Sequence, residues 1–194
     1  MGKDESSILK KYNNIYLEII MRYKDHIEES ESLNASDLPR LVTPDNSSVS
    51  VLCDSLREVF GDYVYERDFQ QAASSAFDYV RNRITEISLP IQFWQLPEET
   101  IKREAGDSFD KAVLLCSILI NLGDLDSKVV IAIVGEGRHF VVYARREGGI
   151  TVFDVNDSIK EYGDVGEMLA GIGIAKDSES DAYEFNNSVY NDLL

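Results

Sequence analysis

The chain has 194 residues, enough for one domain with a hydrophobic core, and 44% of them are hydrophobic, which is typical of a globular protein. Its formal net charge of −16 argues against a protein that binds nucleic acid through a basic face, so we expect no nucleic-acid partner. No apolar run approaches the 18 residues of a membrane span, so we expect no membrane partner either.

Hydrophobic residues recur at helical spacing in three stretches of the N-terminal half. They predict helices over residues 8–27, 49–60 and 68–87. The stretch 28–48 between the first two is rich in Ser, Asn, Asp and Pro and predicts a loop or linker. We therefore expect residues 1–87 to form an N-terminal helical region packed on the core that follows.

Two helix starts are marked in the middle of the chain. Pro97 begins a short helix that Gly106 ends, since proline is favoured in the first turn. Asp107 is suited to cap the next helix, predicted over 108–122, and Asp110 occupies the capping-box position three residues on.

The following segment changes to strand patterns. Runs rich in Val, Ile, Phe and Tyr at 128–134, 139–145 and 150–155 are separated by glycine turns and predict an antiparallel meander. A small helix is predicted near 164–170. We expect residues 88–175 to form the core and residues 176–194 an acidic, loose tail.

Three residues on these elements have the types of a nucleophile, a base and an orienting acid. Ser108 begins the helix after Asp107, His139 lies on the second strand, and Asp154 lies on the third. If Arg145 pairs with Ile150, Asp154 lies diagonal to His139 on one sheet face, within side-chain reach. We also expect the amino end of the 108–122 helix to abut that face. Each residue alone has a plainer interpretation, as a helix start, a strand histidine or a strand-end turn former.

The cysteines and histidines predict no metal site. Cys53 and Cys116 lie in apolar contexts and suggest buried free thiols, and His26 and His139 add no ligand cluster. Cys116 lies about 12 Å deeper along the helix than Ser108 and is rotated by roughly 80°, so it is not a candidate nucleophile. We expect neither a metal nor a cofactor.

Four pieces in order resemble the transglutaminase-like superfamily, over about residues 90–156. They are Trp94-Gln95-Leu96-Pro97-Glu98-Glu99-Thr100, Gly106-Asp107-Ser108-Phe109-Asp110, Arg138-His139-Phe140-Val141-Val142 and Val152-Phe153-Asp154. The resemblance implies an α+β fold with a papain-like core, a central helix packed on an antiparallel sheet. It also implies that a Gly-Asp-Cys-x-Asp motif opens this helix, that a strand carries the histidine and that the next strand carries the aspartate.

The resemblance assigns Ser108, His139 and Asp154 to the catalytic positions. Ser108 departs from the pattern because the family has cysteine there, and Phe109 stands where glutamate is common. Trp94 and Gln95 are candidates for the cleft wall or an oxyanion contact, and Trp94 serves equally well as a core aromatic residue.

Four functions fit these observations. We favour a transglutaminase-like module that is inactive or very weak and binds a peptide or protein. A cysteine peptidase or acyl transferase whose nucleophile was replaced by Ser108 comes next. A helical adaptor with an accidental triad and a working Ser–His–Asp hydrolase follow.

The charged residues 1–7, with no apolar stretch after them, show no secretion signal. Together with the free thiols they predict a cytoplasmic protein. The oligomeric state is not readable.

Overall fold

The computed structural model describes residues 17, 20, 21, 23, 24, 35–87, 93–135, 137–174 and 180–194. The chain divides into two compact units, residues 1–34 with 89–93, and residues 35–88 with 94–194. In the first unit Leu17, Ile20 and Met21 are helical and exposed. The rest of the helix predicted over 8–27 lies largely outside the described residues.

The described part of the second unit begins with a 3-10 helix, Ala35–Leu41, and contains five α-helices. These are α1 (Ser47–Glu58), α2 (Tyr65–Arg83), α3 (Pro97–Arg103), α4 (Ser108–Asn121) and α5 (Val165–Gly171). The helices predicted beyond residue 48 are confirmed to within a few residues. The predicted loop over 28–48 is interrupted by the 3-10 helix, and α1 begins within it because Asn46 caps the helix by accepting from the Ser48 backbone N–H at 2.8 Å.

The strands of this unit form two sheets. A short parallel pair joins β1 (Thr85–Glu86) to β2 (Ala105–Gly106). The main sheet is antiparallel, with strand order β6-β5-β4-β3-β7-β8. Its strands are β3 (Lys128–Val134), β4 (Gly137–Arg146), β5 (Gly149–Phe153), β6 (Ile159–Tyr162), β7 (Ser180–Phe185) and β8 (Tyr190–Asp192). The predicted meander over 128–155 is confirmed as β3, β4 and β5.

Helix α4 is the centre of the core. Every residue from Phe109 to Ile120 is buried, and from Ala112 onward all of them except Ser117 are hydrophobic, as expected of a helix inside a core. The Phe109 ring contacts the rings of Phe140 and Phe185, at centroid distances of 5.4 and 6.1 Å, so α4 covers the sheet face that carries these two rings.

The opposite sheet face is covered by α5. Val141, Tyr143 and Val152 pack there in one hydrophobic cluster with Met168 and Leu169 of α5. The sheet therefore lies between two helical layers. The α+β class predicted from the sequence is confirmed, with a central helix packed on an antiparallel sheet.

The C-terminal segment differs from the prediction of a loose tail over 176–194. Strand β7 pairs with β3 inside the sheet, and its Ala182 and Phe185 are fully buried. Its acidic Glu184 is accommodated because Lys128 lies 2.5 Å from one carboxylate oxygen and the Tyr143 hydroxyl donates to the other at 2.6 Å. The prediction is wrong for residues 180–192, because pairing with a distant strand outweighed the acidic local composition.

Candidate active site

Ser108 is the first residue of α4, and its position follows from the predicted cap. Asp107 accepts from the Asp110 backbone N–H at 2.9 Å, and Asp110 accepts from the Asp107 N–H at 3.1 Å. The Ser108 hydroxyl donates to Glu86 Oε1 at 2.9 Å and accepts from Asn156 Nδ2 at 3.0 Å. Both partners come from outside the helix.

Glu86 reaches Ser108 because β1 pairs in parallel with β2, which aligns Glu86 with Gly106. The second carboxylate oxygen of Glu86 lies 2.6 Å from Lys111 Nζ. The Lys111 side chain is only 6% exposed, whereas that of Glu86 is 48% exposed. A buried ammonium needs a counter-charge, so Glu86 serves two partners, the lysine and the serine.

His139 and Asp154 meet as the predicted register requires. Arg145 pairs with Ile150, which confirms that register, and His139 Nε2 lies 2.9 Å from Asp154 Oδ2. The hydrogen bond with Asp154 raises the pKa of His139 above its ordinary value, and partial burial opposes the rise. Burial acts to raise the pKa of Asp154, but its hydrogen bonds with His139 and the Asn156 backbone N–H hold that pKa below the usual range.

Among the described residues, no hydrogen bond joins Ser108 to His139. Side chains alternate along β4, so His139 shares a face with Val141, whereas Phe140 points toward α4. The start of α4 is nevertheless connected to the His139–Asp154 pair, because Asn156 bonds both Ser108 and Asp154.

Asn156 connects the two halves of the site. Its backbone N–H donates to Asp154 Oδ1 at 3.0 Å, while its side-chain amide donates to Ser108 Oγ at 3.0 Å. Neither Asn156 nor Glu86 was among the site residues predicted from the sequence. Asn156 had a local signal, because the side chain of an aspartate such as Asp154 can form a turn by accepting from the backbone N–H two residues later. Glu86 had none, since its position depends on pairing with a strand twenty residues away.

Gln95 and Trp94 line the other side of the α4 start. The Gln95 amide donates both hydrogens, to the Ala105 carbonyl at 3.1 Å and to Asp110 Oδ2 at 2.9 Å. With both hydrogens engaged, this amide has none to offer an oxyanion. The half-buried Trp94 packs against Phe109 with tilted rings at a centroid distance of 5.1 Å, which matches the core-aromatic interpretation.

Asp110 joins these pieces together. Its carboxylate accepts from the Gln95 backbone N–H at 2.8 Å in addition to the Gln95 amide and the Asp107 N–H. Burial, reinforced by the neighbouring charge of Asp107, raises the pKa of Asp110 to about 6 despite these donors. The carboxylate thus fixes the 94–95 segment to the start of α4.

Neither cysteine can replace the serine. Both are buried free thiols, as predicted, and burial raises the pKa of Cys53 to about 12 and that of Cys116 further. In the described ranges, no group of three or more His, Cys, Asp or Glu side chains is placed to hold a metal ion. Within the same ranges, no helix is both long and apolar enough to cross a bilayer.

Comparison with known proteins gives a structural likeness only. No protein-family profile matches the chain, and no curated protein matches it. Solved structures do match. Calcium-bound LapG of Legionella pneumophila shares 16% identity and a TM-score of 0.45, over 73% of this chain and 87% of that one. Another LapG structure from this organism gives 16% identity and a TM-score of 0.45, over 78% and 88% of the two chains.

A candidate cysteine protease from Cytophaga hutchinsonii also matches. It shares 16% identity and a TM-score of 0.45, over 84% of this chain and 58% of that one. At these values the likenesses assign no residue and no activity to this chain. What is known of the site is its own geometry, a His–Asp pair and a helix-start serine joined through Asn156.

Proposed function

We propose that this chain is a transglutaminase-like protein whose triad is inactive or very weak, and whose site binds a peptide or protein segment. The observation that carries the proposal is the bonding of the Ser108 hydroxyl, which is shared between Glu86 and Asn156 and does not reach His139.

This bonding opposes catalysis by the serine. A serine hydroxyl stays protonated at neutral pH and needs a general base at the moment of attack. The Ser108 hydroxyl donates to the Glu86 carboxylate, whose other oxygen forms an ion pair with Lys111, and not to an imidazole that could act as its general base. Losing the nucleophile or base of a triad can cost on the order of 10⁶ in turnover, which is the scale expected here.

The same surroundings suit a neutral hydroxyl better than a thiolate. A cysteine at a helix start acts through its anion, which the helix dipole favours. Here the Glu86 carboxylate lies 2.9 Å from the position of the reacting atom and would oppose that anion. The site is thus compatible with serine as its own residue, which supports the binding function over a replaced cysteine.

The binding role rests on what the site exposes. The side chains of His139 and Glu86 are 40% and 48% exposed, and Asn156 is also exposed. The half-buried rings of Trp94 and Phe140 both contact the ring of Phe109, so they lie beside the start of α4. Polar groups that can bond a peptide backbone, next to partly open aromatic rings, are the composition of a peptide-contacting surface.

A cysteine peptidase or acyl transferase is the second candidate. It is favoured by the retained His139–Asp154 pair, whose hydrogen bond of 2.9 Å keeps an imidazole poised as in a working triad. Under this alternative Ser108→Cys restores thiol-dependent activity on peptide amides. A working Ser–His–Asp hydrolase requires a hydrogen bond between Ser108 and His139, and none joins them among the described residues.

We also propose a cytoplasmic location, which suits two buried free thiols.

Two measurements test the proposal. The wild type and Ser108→Ala are compared on fluorogenic peptide amides and esters, and equal rates are expected. A faster wild type contradicts the inactivity. Peptides selected from a display library on the immobilised wild type are then measured by fluorescence polarisation against Asn156→Ala and His139→Ala.

We expect these two variants to weaken the selected peptides, whereas Glu58→Gln, an exposed change on α1, does not. If every selected peptide binds all variants equally, or no peptide is selected, the binding role at this site is wrong.

A further inference from the structure

The outer edge of β1, on the side away from β2, is open. The Thr85 N–H donates to the Glu104 carbonyl at 2.8 Å. The Ile87 N–H donates to the Gly106 carbonyl at 3.1 Å, so both donors point toward β2. Successive residues of a strand direct their main-chain groups to opposite edges, so the N–H and C=O of Glu86 point away from β2. Neither group has a hydrogen-bond partner in the part of the chain that the structure describes.

This edge has the hydrogen-bonding groups that an extended peptide requires. Both residues of β1 are exposed, and the side chain of Glu86 is 48% exposed. A free donor and a free acceptor on one strand residue match the main chain of a peptide, which supplies one of each in return. A single free residue suits antiparallel pairing, because both hydrogen bonds are then exchanged with one partner residue.

The charges beside the edge determine which side chain suits the residue opposite Glu86. Residues directly opposite in an antiparallel pair share a face, with Cβ atoms about 5 Å apart. Burial, and to a smaller extent the charge of Glu86, raises the pKa of Asp107, so these two carboxylates lie close together. The Lys111 ammonium that pairs with Glu86 is only 6% exposed. Two carboxylates and one buried ammonium, on a chain with a net charge of −16, complement a basic side chain.

We propose that an extended peptide segment adds an antiparallel strand beside β1, bonds the main chain of Glu86 through one residue, and carries lysine or arginine at that residue. The basic side chain then lies on the face where the Glu86 carboxylate accepts from the Ser108 hydroxyl at 2.9 Å. This inference rests on the peptide-binding function proposed above, and it gives the bound segment a direction, a register and a preferred side chain.

The first test is hydrogen–deuterium exchange, read by ¹H–¹⁵N NMR on the full wild-type chain, with and without the tightest peptide selected from the display library. We expect the Glu86 amide to exchange about tenfold or more slowly when the peptide is bound. The Thr85 and Ile87 amides are internal controls, because both are already bonded to carbonyls at β2 and should change little. If the Glu86 amide exchanges equally fast in the two samples, the strand pairing is wrong. This measurement needs no substitution that could unfold the chain.

The second test compares Glu86→Pro with Glu86→Ala, because both remove the carboxylate and only proline removes the main-chain N–H. Proline is tolerated on an edge strand where the missing N–H would face solvent, as at β1. We expect the proline variant to bind the same peptide about fivefold more weakly than the alanine variant, which is the scale of one lost hydrogen bond. Equal affinities of the two variants would overturn the strand pairing.

The basic residue is tested by a double-mutant cycle. Replacing the lysine or arginine of the selected peptide by Gln should weaken binding to the wild type about two- to fivefold, and binding to Glu86→Gln much less. Equal losses, or selected peptides without a basic residue, contradict the charge preference.

Failure of this inference is distinguishable from failure of the proposed function. If no peptide is selected, or if Asn156→Ala and His139→Ala leave binding unchanged, the proposed function itself is wrong, and this inference with it. A peptide that depends on Asn156 and His139 but leaves the Glu86 amide unprotected overturns only the strand pairing.

Discussion

The carboxylate of Glu86 should control the acidity of any thiol placed at position 108. In Ser108→Cys the sulfur replaces an oxygen that lies 2.9 Å from Glu86 Oε1. Replacing Glu86 by Gln removes one negative charge beside the thiolate and leaves an amide oxygen that can still accept from Lys111. The Lys111 charge, no longer neutralised, attracts the thiolate, so both effects lower the thiol pKa.

The size of the shift follows from Coulomb's law. Two unit charges about 3.5 Å apart interact by about 1 kcal/mol in water and about 5 kcal/mol at an effective dielectric constant near 20. The Glu86 side chain is 48% exposed, so the interaction energy lies close to the value for water. We expect the thiol pKa of Ser108→Cys/Glu86→Gln to lie about 1 unit below that of Ser108→Cys.

The assay is the pH dependence of iodoacetamide alkylation, read by mass spectrometry on the peptide that contains position 108. The two natural cysteines give little background because they are buried, with Cys53 raised to a pKa of about 12. Glu58→Gln in the Ser108→Cys background changes net charge equally at a distant exposed site and should leave the thiol pKa unchanged. If the Glu86 and Glu58 variants give the same thiol pKa, the role assigned to Glu86 is incorrect.

Three further predictions concern the site and the sheet. An NMR titration should give His139 a pKa above its ordinary 6.5, and Asp154→Asn should lower it; an unchanged value would contradict the pairing. Stabilisation by this pair is present at pH values below 6.5 and is lost as pH rises through the folded pKa of the histidine. Asp110→Asn should destabilise the chain by about 2–4 kcal/mol in urea unfolding at neutral pH, because its amide N–H groups face two donors. The wild-type carboxyl binds a proton more tightly when folded, so its contribution to stability falls as pH rises from 3.8 to about 6, and this slope should be absent from the variant. Phe185→Ala should cost about 3–5 kcal/mol if β7 is an inner strand, whereas a loose tail predicts almost no change.

The predictable parts of the fold are those set by local chemistry. Asp107 and Asp110 mark the start of α4 because both members of the capping box lie within four residues. The β4–β5 register follows from a two-residue turn, in which Gly148 has a φ of 76°. That register then brings His139 to Asp154 without any distant information.

The parts that sequence reasoning missed depend on distant pairing. Glu86 reaches Ser108 only because two short parallel strands align it with Gly106. Strand β7 carries acidic residues that suggest a loose tail, yet Lys128 and Tyr143, on strands far earlier in the chain, accommodate its Glu184. Local composition cannot report a partner that the fold supplies.

We propose that the Ser108 hydroxyl is held by Glu86 and Asn156 and is not activated by His139. The most direct measurement is intact-protein and peptide mass spectrometry after incubation with a fluorophosphonate, which reacts only with an activated serine. We predict no adduct on Ser108, as in the Ser108→Ala control. An adduct at Ser108 that disappears in His139→Ala would mean that this proposal is wrong, because it would show that the imidazole activates the hydroxyl.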